Sequence, residues 1–150
     1  ELYLELMSAM IDSTRRQFPD ALRRSAEVDK MIEERFSTGL GRLGIISRML
    51  IPALRKGTTK EALLSANLRC AQVALAVERY RLDHRGTLPS KLDELAPRYL
   101  HKLPKDPFDD SPLIYERLPS NGYRVLSPAA TGDRKNESKN AEDVAFTVKR

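Results

Sequence analysis

Residues 80–95 read Tyr-Arg-Leu-Asp-His-Arg-Gly-Thr-Leu-Pro-Ser-Lys-Leu-Asp-Glu-Leu, and residues 103–108 read Leu-Pro-Lys-Asp-Pro-Phe. The first stretch contains the end of a helix, because Gly86 can adopt the backbone conformation of a C-terminal cap. The prolines that follow interrupt regular structure and predict an extended connection with one short helix, residues 91–96. The sequence therefore predicts a helix before this connection and structure of a different kind after it.

The helix that ends here is predicted to be the longest in the chain. Thr58 and Glu61 have the spacing of a capping box, which predicts a helix from Thr59 to His84. Its apolar residues form two stripes, and such a wide apolar face requires cover on more than one side. We expect the sheet to cover one side and residues 1–56, or a partner, to cover the other. The first stripe contains Leu63, Ala66, Cys70, Val73, Val77 and Tyr80, and the second contains Leu64, Leu68, Ala71, Leu75 and Leu82.

Three short segments after the connection are predicted to be β-strands. They are residues 113–117, 123–127 and 144–148, which are apolar or alternate between apolar and polar side chains. Asn121-Gly122 between the first two is a hairpin signal. The predicted fold class is therefore α+β, with the long helix packed on a small three-stranded antiparallel sheet and Tyr80 largely buried at their junction.

The N-terminal part of the chain is predicted to be helical. Apolar spacing indicates helices over residues 2–17, 19–36 and 42–50, the second beginning at Pro19 with Asp20 in its first turn. The third is expected to end before Pro52, because the residue before a proline disfavours helix. Gly57 then separates a helical region, residues 1–56, from the α+β unit, residues 57–150.

Composition and charge exclude some function classes. The chain has a net charge of +5, but its acidic residues are interspersed with the basic ones, so no nucleic-acid partner is predicted. No run of 18 apolar residues occurs, so no membrane span is predicted. Cys70, the single cysteine, lies among small apolar residues and is predicted to be a buried hydrophobe rather than a reactive thiol.

No catalytic constellation is recognisable in the sequence. His84 and His101 are far apart and are predicted to lie at the surface or at a helix end, and no zinc spacing or phosphate-binding loop occurs. Asp106, Asp109 and Asp110 cluster in one loop. Such a loop could suit calcium, but Asp106 is more simply a turn residue that accepts a hydrogen bond from its own backbone. We therefore predict that the chain is not an enzyme.

The segment from about residue 68 to residue 148 resembles the soluble part of type II secretion pseudopilins, above all the major pseudopilin. The resemblance rests on an alanine-rich helix into Glu-Arg-Tyr-Arg-Leu (78–82), on Leu-Pro (88–89), on Leu-Asp-Glu-Leu (92–95), on Leu-Pro-Lys-Asp-Pro-Phe (103–108), on Leu-Ile-Tyr (113–115) and on Gly-Tyr-Arg-Val-Leu-Ser (122–127). The whole pattern is similar to uncharacterised bacterial proteins of the planctomycete type, which carry a pseudopilin-like module behind a helical region.

This resemblance implies a role rather than a reaction. It implies a non-catalytic structural or protein-interaction module of the cell envelope or of a larger assembly, with a protein partner or self-association. An upstream anchor would then hold the module at the envelope, on its periplasmic side. The alternative is an accessory domain or subunit of an enzyme whose active site lies outside this chain.

The resemblance also implies one metal candidate. A late loop of the major pseudopilin binds calcium, and in the corresponding loop here Asp133, Glu137 and Asp143 could supply oxygen ligands. Arg134, Lys135 and Lys139 lie among them and oppose a divalent cation electrostatically. The expectation is thus that no cofactor is needed, with calcium at Asp133, Glu137 and Asp143 as the exception to test.

Overall fold

Two α-helices and three β-strands make up the regular structure of the computed structural model, which describes residues 8–9, 11–12, 15–36, 43–128 and 144–149. Helix α1 spans Asp20–Phe36 and helix α2 spans Leu43–Asp83, while strands β1, β2 and β3 span Ile114–Leu118, Gly122–Leu126 and Ala145–Val148. The chain divides into two compact units, residues 1–62 and 63–150. No helix in the described ranges combines the length and the apolar character that a membrane span requires.

The first unit contains α1, which confirms the helix predicted over residues 19–36. Asp20 occupies its first turn, where a carboxylate interacts favourably with the helix dipole. Ala21 and Val28 are buried apolar residues of α1 and lie seven positions apart on one face. The helix predicted over residues 2–17 lies largely outside the described residues.

Helix α2 is longer than predicted, and two related predictions are wrong. It continues without a break for 41 residues, so no helix ends before Pro52 and no capping box begins a helix at Thr58, and Gly57 lies inside the helix. A proline removes one backbone hydrogen bond, and a glycine costs about 1 kcal/mol relative to alanine. A new helix would instead need a new and costly nucleus, so the helix-forming residues on both sides favour continuation.

The end of α2 confirms the predicted cap. Gly86 has φ of +90° and follows Arg85, which also has a positive φ of 53°. The Gly86 N–H donates to the carbonyl of Arg81 at 2.8 Å, which is the six-to-one bond of a Schellman motif. The chain leaves the helix at this point and passes through the connection to the sheet. The short helix predicted over residues 91–96 is a 3-10 turn, Leu92–Leu95.

The three strands form one antiparallel sheet in the order β1-β2-β3, which confirms the α+β class. Leu118 pairs with Gly122, so three residues join β1 to β2, and Ser120 and Asn121 both have positive φ. The tight turn is therefore Ser120-Asn121 rather than Asn121-Gly122. Gly122 has another reason to be glycine, because a Cβ there would lie 2.7 Å from the carbonyl oxygen of Val148 on β3.

The core of the second unit lies between α2 and the sheet. The face of α2 in this core carries small residues, which leave room for a large side chain from the sheet. Tyr123 of β2 fills this room and has no solvent exposure. The Tyr123 hydroxyl donates to the carbonyl of Ala74 at 3.1 Å, so its polar atom is satisfied. Tyr80 was predicted to be largely buried but is only half-buried at the rim. The buried members from α2 are Ala66, Cys70, Val73, Ala74, Ala76 and Val77.

Candidate functional site

The predicted carboxylate loop is an ordered turn around a buried aspartate. Asp106 has no solvent exposure, and its Oδ1 accepts a hydrogen bond from the backbone N–H of Phe108 at 2.9 Å. Its Oδ2 accepts from the hydroxyl of Ser127 at 2.5 Å. The N–H of Asp106 donates to the carbonyl of Ser111 at 2.8 Å, which closes the loop. The predicted turn role of Asp106 is thereby confirmed.

The other two carboxylates of this loop have separate partners. Asp109 Oδ1 accepts from the backbone N–H of Ser111 at 2.9 Å, and Asp110 Oδ2 pairs with Lys105 Nζ at 2.9 Å. Within the described residues, no group of three or more histidine, cysteine, aspartate or glutamate side chains is arranged to hold a metal ion. The predicted calcium candidates Asp133, Glu137 and Asp143 lie outside those residues, so that prediction stays open.

Cys70 has the environment of a structural residue. It is 1% exposed, and its Sγ lies 3.9 Å from the carbonyl oxygen of Val144. Burial, followed by the negative charge of Asp106, raises the pKa of the Cys70 thiol to about 11. A thiol with this pKa stays protonated near neutral pH and is a poor nucleophile. The predicted buried, unreactive cysteine is confirmed.

A cluster of aromatic and charged side chains lies where α2 ends. The Tyr80 hydroxyl donates to Glu94 Oε2 at 2.8 Å, and the Tyr80 ring stacks on His84 with 3.8 Å between ring centroids. The Tyr99 hydroxyl and Arg98 both donate to Asp83 Oδ2, at 2.9 and 3.1 Å. These contacts fasten the helix end to the connection that follows it.

The protonation states of this cluster follow from the same contacts. The hydrogen bond to Glu94 is the main reason that the pKa of Tyr80 is raised, and it is also the main reason that the pKa of Glu94 is lowered. Burial, then the hydrogen bond to Asp83, raises the pKa of Tyr99. The phenols are therefore proton donors that stay protonated, and Glu94 stays ionised. His84 and His101 are exposed, as predicted.

The most unusual surface of the second unit is on α2, opposite its core face. Four leucines there remain between 61% and 72% exposed, although leucine is usually among the most buried residues. Their spacing of four, seven and seven residues places them in one stripe about 27 Å long. We call this stripe the leucine face, and it consists of Leu64, Leu68, Leu75 and Leu82.

Sequence reasoning identified both apolar stripes of α2 but not which one the sheet would cover. The stripe that packs in the core is the one with alanine, cysteine and valine, whose small side chains allow a β-sheet and a tyrosine to approach the helix closely. Leucines at the same positions would hold the sheet further away. Side-chain size along each stripe was the signal that could have assigned the leucine face to the surface.

No family model, no curated protein and no solved structure matches this chain. The fold and the contacts of its own residues are therefore the basis for any functional proposal.

Proposed function

We propose that this chain is a non-catalytic structural or protein-interaction module, and that the leucine face of α2 is its contact surface. The observation that carries the proposal is the exposure of four leucines in one stripe. Scattered surface leucines are common and need no explanation, whereas a contiguous apolar stripe is typical of an interaction site. Full burial of one exposed leucine side chain contributes about 1.5–3 kcal/mol, so covering the stripe would favour association.

The residues with catalytic potential support a non-catalytic role. Asp106 is buried and hydrogen-bonded through both of its oxygens, and Cys70 is a buried thiol with a raised pKa. The carboxylate of Glu94 accepts hydrogen bonds from Tyr80 and from the backbone N–H groups of Ser90 and Lys91. Each of these groups thus has a structural contact that explains its position.

The setting of the module is also a proposal. The resemblance to pseudopilin soluble regions favours the cell envelope or a larger assembly, with the module presented by an upstream anchor. The alternative of an accessory domain predicts that the leucine face binds an enzyme. Both versions need the same surface, so one experiment on that surface addresses them together.

Site-specific photo-crosslinking in cells tests the contact surface. A photoreactive amino acid replaces Leu75 in the full-length protein, expressed at its native level. We expect one dominant adduct of defined mass, identified by mass spectrometry, which is lost when Leu68 is also changed to lysine. A photoreactive residue at Glu116, which is exposed on the outer face of the sheet, is the matched control.

The identity of the adduct separates the versions of the proposal. A structural partner or a second copy supports the interaction module, and an enzyme supports the accessory role. Equal labelling from Leu75 and Glu116, or an adduct that persists after Leu68→Lys, would show that the leucine face is not a specific contact surface.

A further inference from the structure

We infer that the leucine face binds the leucine face of a second copy of this chain, with the two α2 helices antiparallel. This inference rests on the proposed function, because it names the occupant of the same surface. It is carried by the spacing of the leucines, by the charges at the two ends of the stripe and by the apolar area that pairing would cover.

The spacing has the period of a helix-helix seam. Leu68, Leu75 and Leu82 are seven residues apart along the chain. Leu64 and Ala71 are also seven apart, and each comes four residues before the next leucine of the first set. This is the alternation of a and d positions with which helices interlock side chains over a narrow stripe. The core residues of α2 lie on the opposite side of the helix, so the sheet does not compete for this face.

The charges in the stripe distinguish the two orientations. Glu61 lies one turn before Leu64, and Glu78 occupies the position seven residues after Ala71. A parallel, in-register pair would place each of these glutamates opposite its own copy, and like charges that face each other across a seam repel. A parallel arrangement is therefore disfavoured at two of its layers.

An antiparallel pair removes both repulsions. When Leu64 of one copy lies opposite Leu82 of the other, Leu75 lies opposite Ala71, and Glu61 comes within reach of Arg85. Glu61 and Arg85 are both exposed, and they lie at opposite ends of the stripe. The symmetric pair therefore brings a Glu61 of one copy near an Arg85 of the other at each end. Glu78 then lies beside Leu68 with its carboxylate held by Arg81 of its own helix at 2.9 Å. The face is thus complementary to itself.

The apolar area fits a weak dimer. The four leucines present on the order of 450 Å² per copy, which is comparable to the largest apolar patch of a typical monomer. A symmetric pair would cover roughly 900 Å² from the leucines, and with the flanking polar residues it reaches the ~1,000 Å² of a specific interface. An interface at this lower end of the size range is typical of a weak or transient complex rather than of an obligate dimer.

Sedimentation equilibrium of the whole chain, from low-micromolar to near-millimolar concentration, tests the inference. We expect a reversible monomer-dimer equilibrium. Leu68→Lys together with Leu75→Lys is expected to raise the dissociation constant at least tenfold, while circular dichroism shows an intact fold. Ile114→Lys is the matched control, because Ile114 is an exposed apolar residue of β1, 40% exposed and outside the leucine face. It is expected to leave the equilibrium unchanged.

Charge reversal at the ends of the stripe tests the orientation. In the antiparallel pair, Glu61→Arg and Arg85→Glu each weaken association by roughly fivefold, and the double variant restores it. In a parallel pair, Glu61→Arg would only exchange a Glu–Glu repulsion for an Arg–Arg repulsion, so Glu61→Gln is the deciding change. It removes an attraction and weakens association in the antiparallel pair, whereas it removes a repulsion and strengthens association in a parallel pair.

Three results would overturn the inference. A chain that stays monomeric at the highest concentration has no self-association, a dimer that survives the two lysine substitutions uses another surface, and tighter association of Glu61→Gln is inconsistent with the antiparallel arrangement. The crosslinking experiment keeps the proposed function separate. A monomeric chain whose Leu75 labels a different protein would refute the second copy and leave the interaction module standing.

Discussion

The two faces of α2 in the second unit are both apolar, but they differ in side-chain size and in burial. The core face carries alanine, cysteine and valine and is buried against Tyr123 and its neighbours. The leucine face carries the larger side chains and remains mostly exposed. Hydrophobicity alone would assign the leucines to the core. The comparison shows that the distance at which a sheet packs on a helix can decide which stripe is buried, because interiors are close-packed and leave few voids.

The largest expected difference between the faces is in stability. Tyr123→Ala would leave a large cavity against the core face and is expected to lower the free energy of unfolding by about 4 kcal/mol. Leu75→Ala on the leucine face is expected to change it by less than about 0.5 kcal/mol, because that side chain is 67% exposed. Urea unfolding at a protein concentration below the association range measures both. Similar losses for the two variants would refute the assignment of the faces.

A substitution of Asp106 tests the contribution of the hydrogen bonds that lie beside the core face. Asp106→Ala removes the acceptor for the part-buried Phe108 N–H and for the buried Ser127 hydroxyl. A buried donor without its acceptor costs about 1–3 kcal/mol, so we expect a loss of about 3 kcal/mol in urea unfolding. Asp109→Ala is the control, since Asp109 makes a similar turn bond at an exposed position. Asp109→Ala is expected to lower the free energy of unfolding by no more than about 1 kcal/mol.

A matched pair of substitutions tests side-chain size directly. Ala66 has no exposure on the core face, and Ala71 is half-buried in the second stripe between two leucines of the leucine face. Ala66→Leu is expected to overpack the core and to lower the free energy of unfolding by about 2 kcal/mol. Ala71→Leu is expected to leave the monomer equally stable and to tighten self-association in sedimentation equilibrium. Equal effects of the two changes would show that size does not distinguish the faces.

The sequence predicts much of this fold, because its strongest patterns are local. The alternation in residues 113–117, 123–127 and 144–148 places the three strands to within one residue at either end, and Gly86 marks the end of α2. The continuation of α2 through Pro52 and Gly57 is not predictable from residue preferences. Those preferences give the local cost of each residue but not the cost of nucleating another helix.

The candidate surface was harder to predict than the fold. Tyr80 and Tyr123 both lie in apolar patterns, and only the folded chain shows that the Tyr123 hydroxyl reaches the carbonyl of Ala74 while that of Tyr80 reaches Glu94. The pairing of a stripe with the sheet is equally a long-range property. The periodicity of α2 therefore predicts two apolar stripes, and packing selects which one becomes the leucine face.

The smallest expected effect concerns the end of α2, where the contacts are polar and exposed. The pKa of Glu94 is lowered mainly by the Tyr80 hydroxyl, and further by the backbone N–H groups of Lys91 and Ser90. Because the folded-state pKa is below the unfolded value of about 4.3, this contribution to stability is complete above that pH and is lost as the pH falls through the folded-state pKa.

Glu94→Gln removes the titrating group. The difference in unfolding free energy between the original protein and Glu94→Gln is thus expected to be larger at about pH 7 than at about pH 3, as urea titrations at the two pH values would measure. In a Tyr80→Phe background the pH dependence of this difference should shrink, because the main cause of the lowered pKa is gone. A difference that is the same at both pH values would mean that the Tyr80–Glu94 bond does not hold the helix end in solution, which would leave the bonds from Tyr99 and Arg98 to Asp83 as the polar contacts described there.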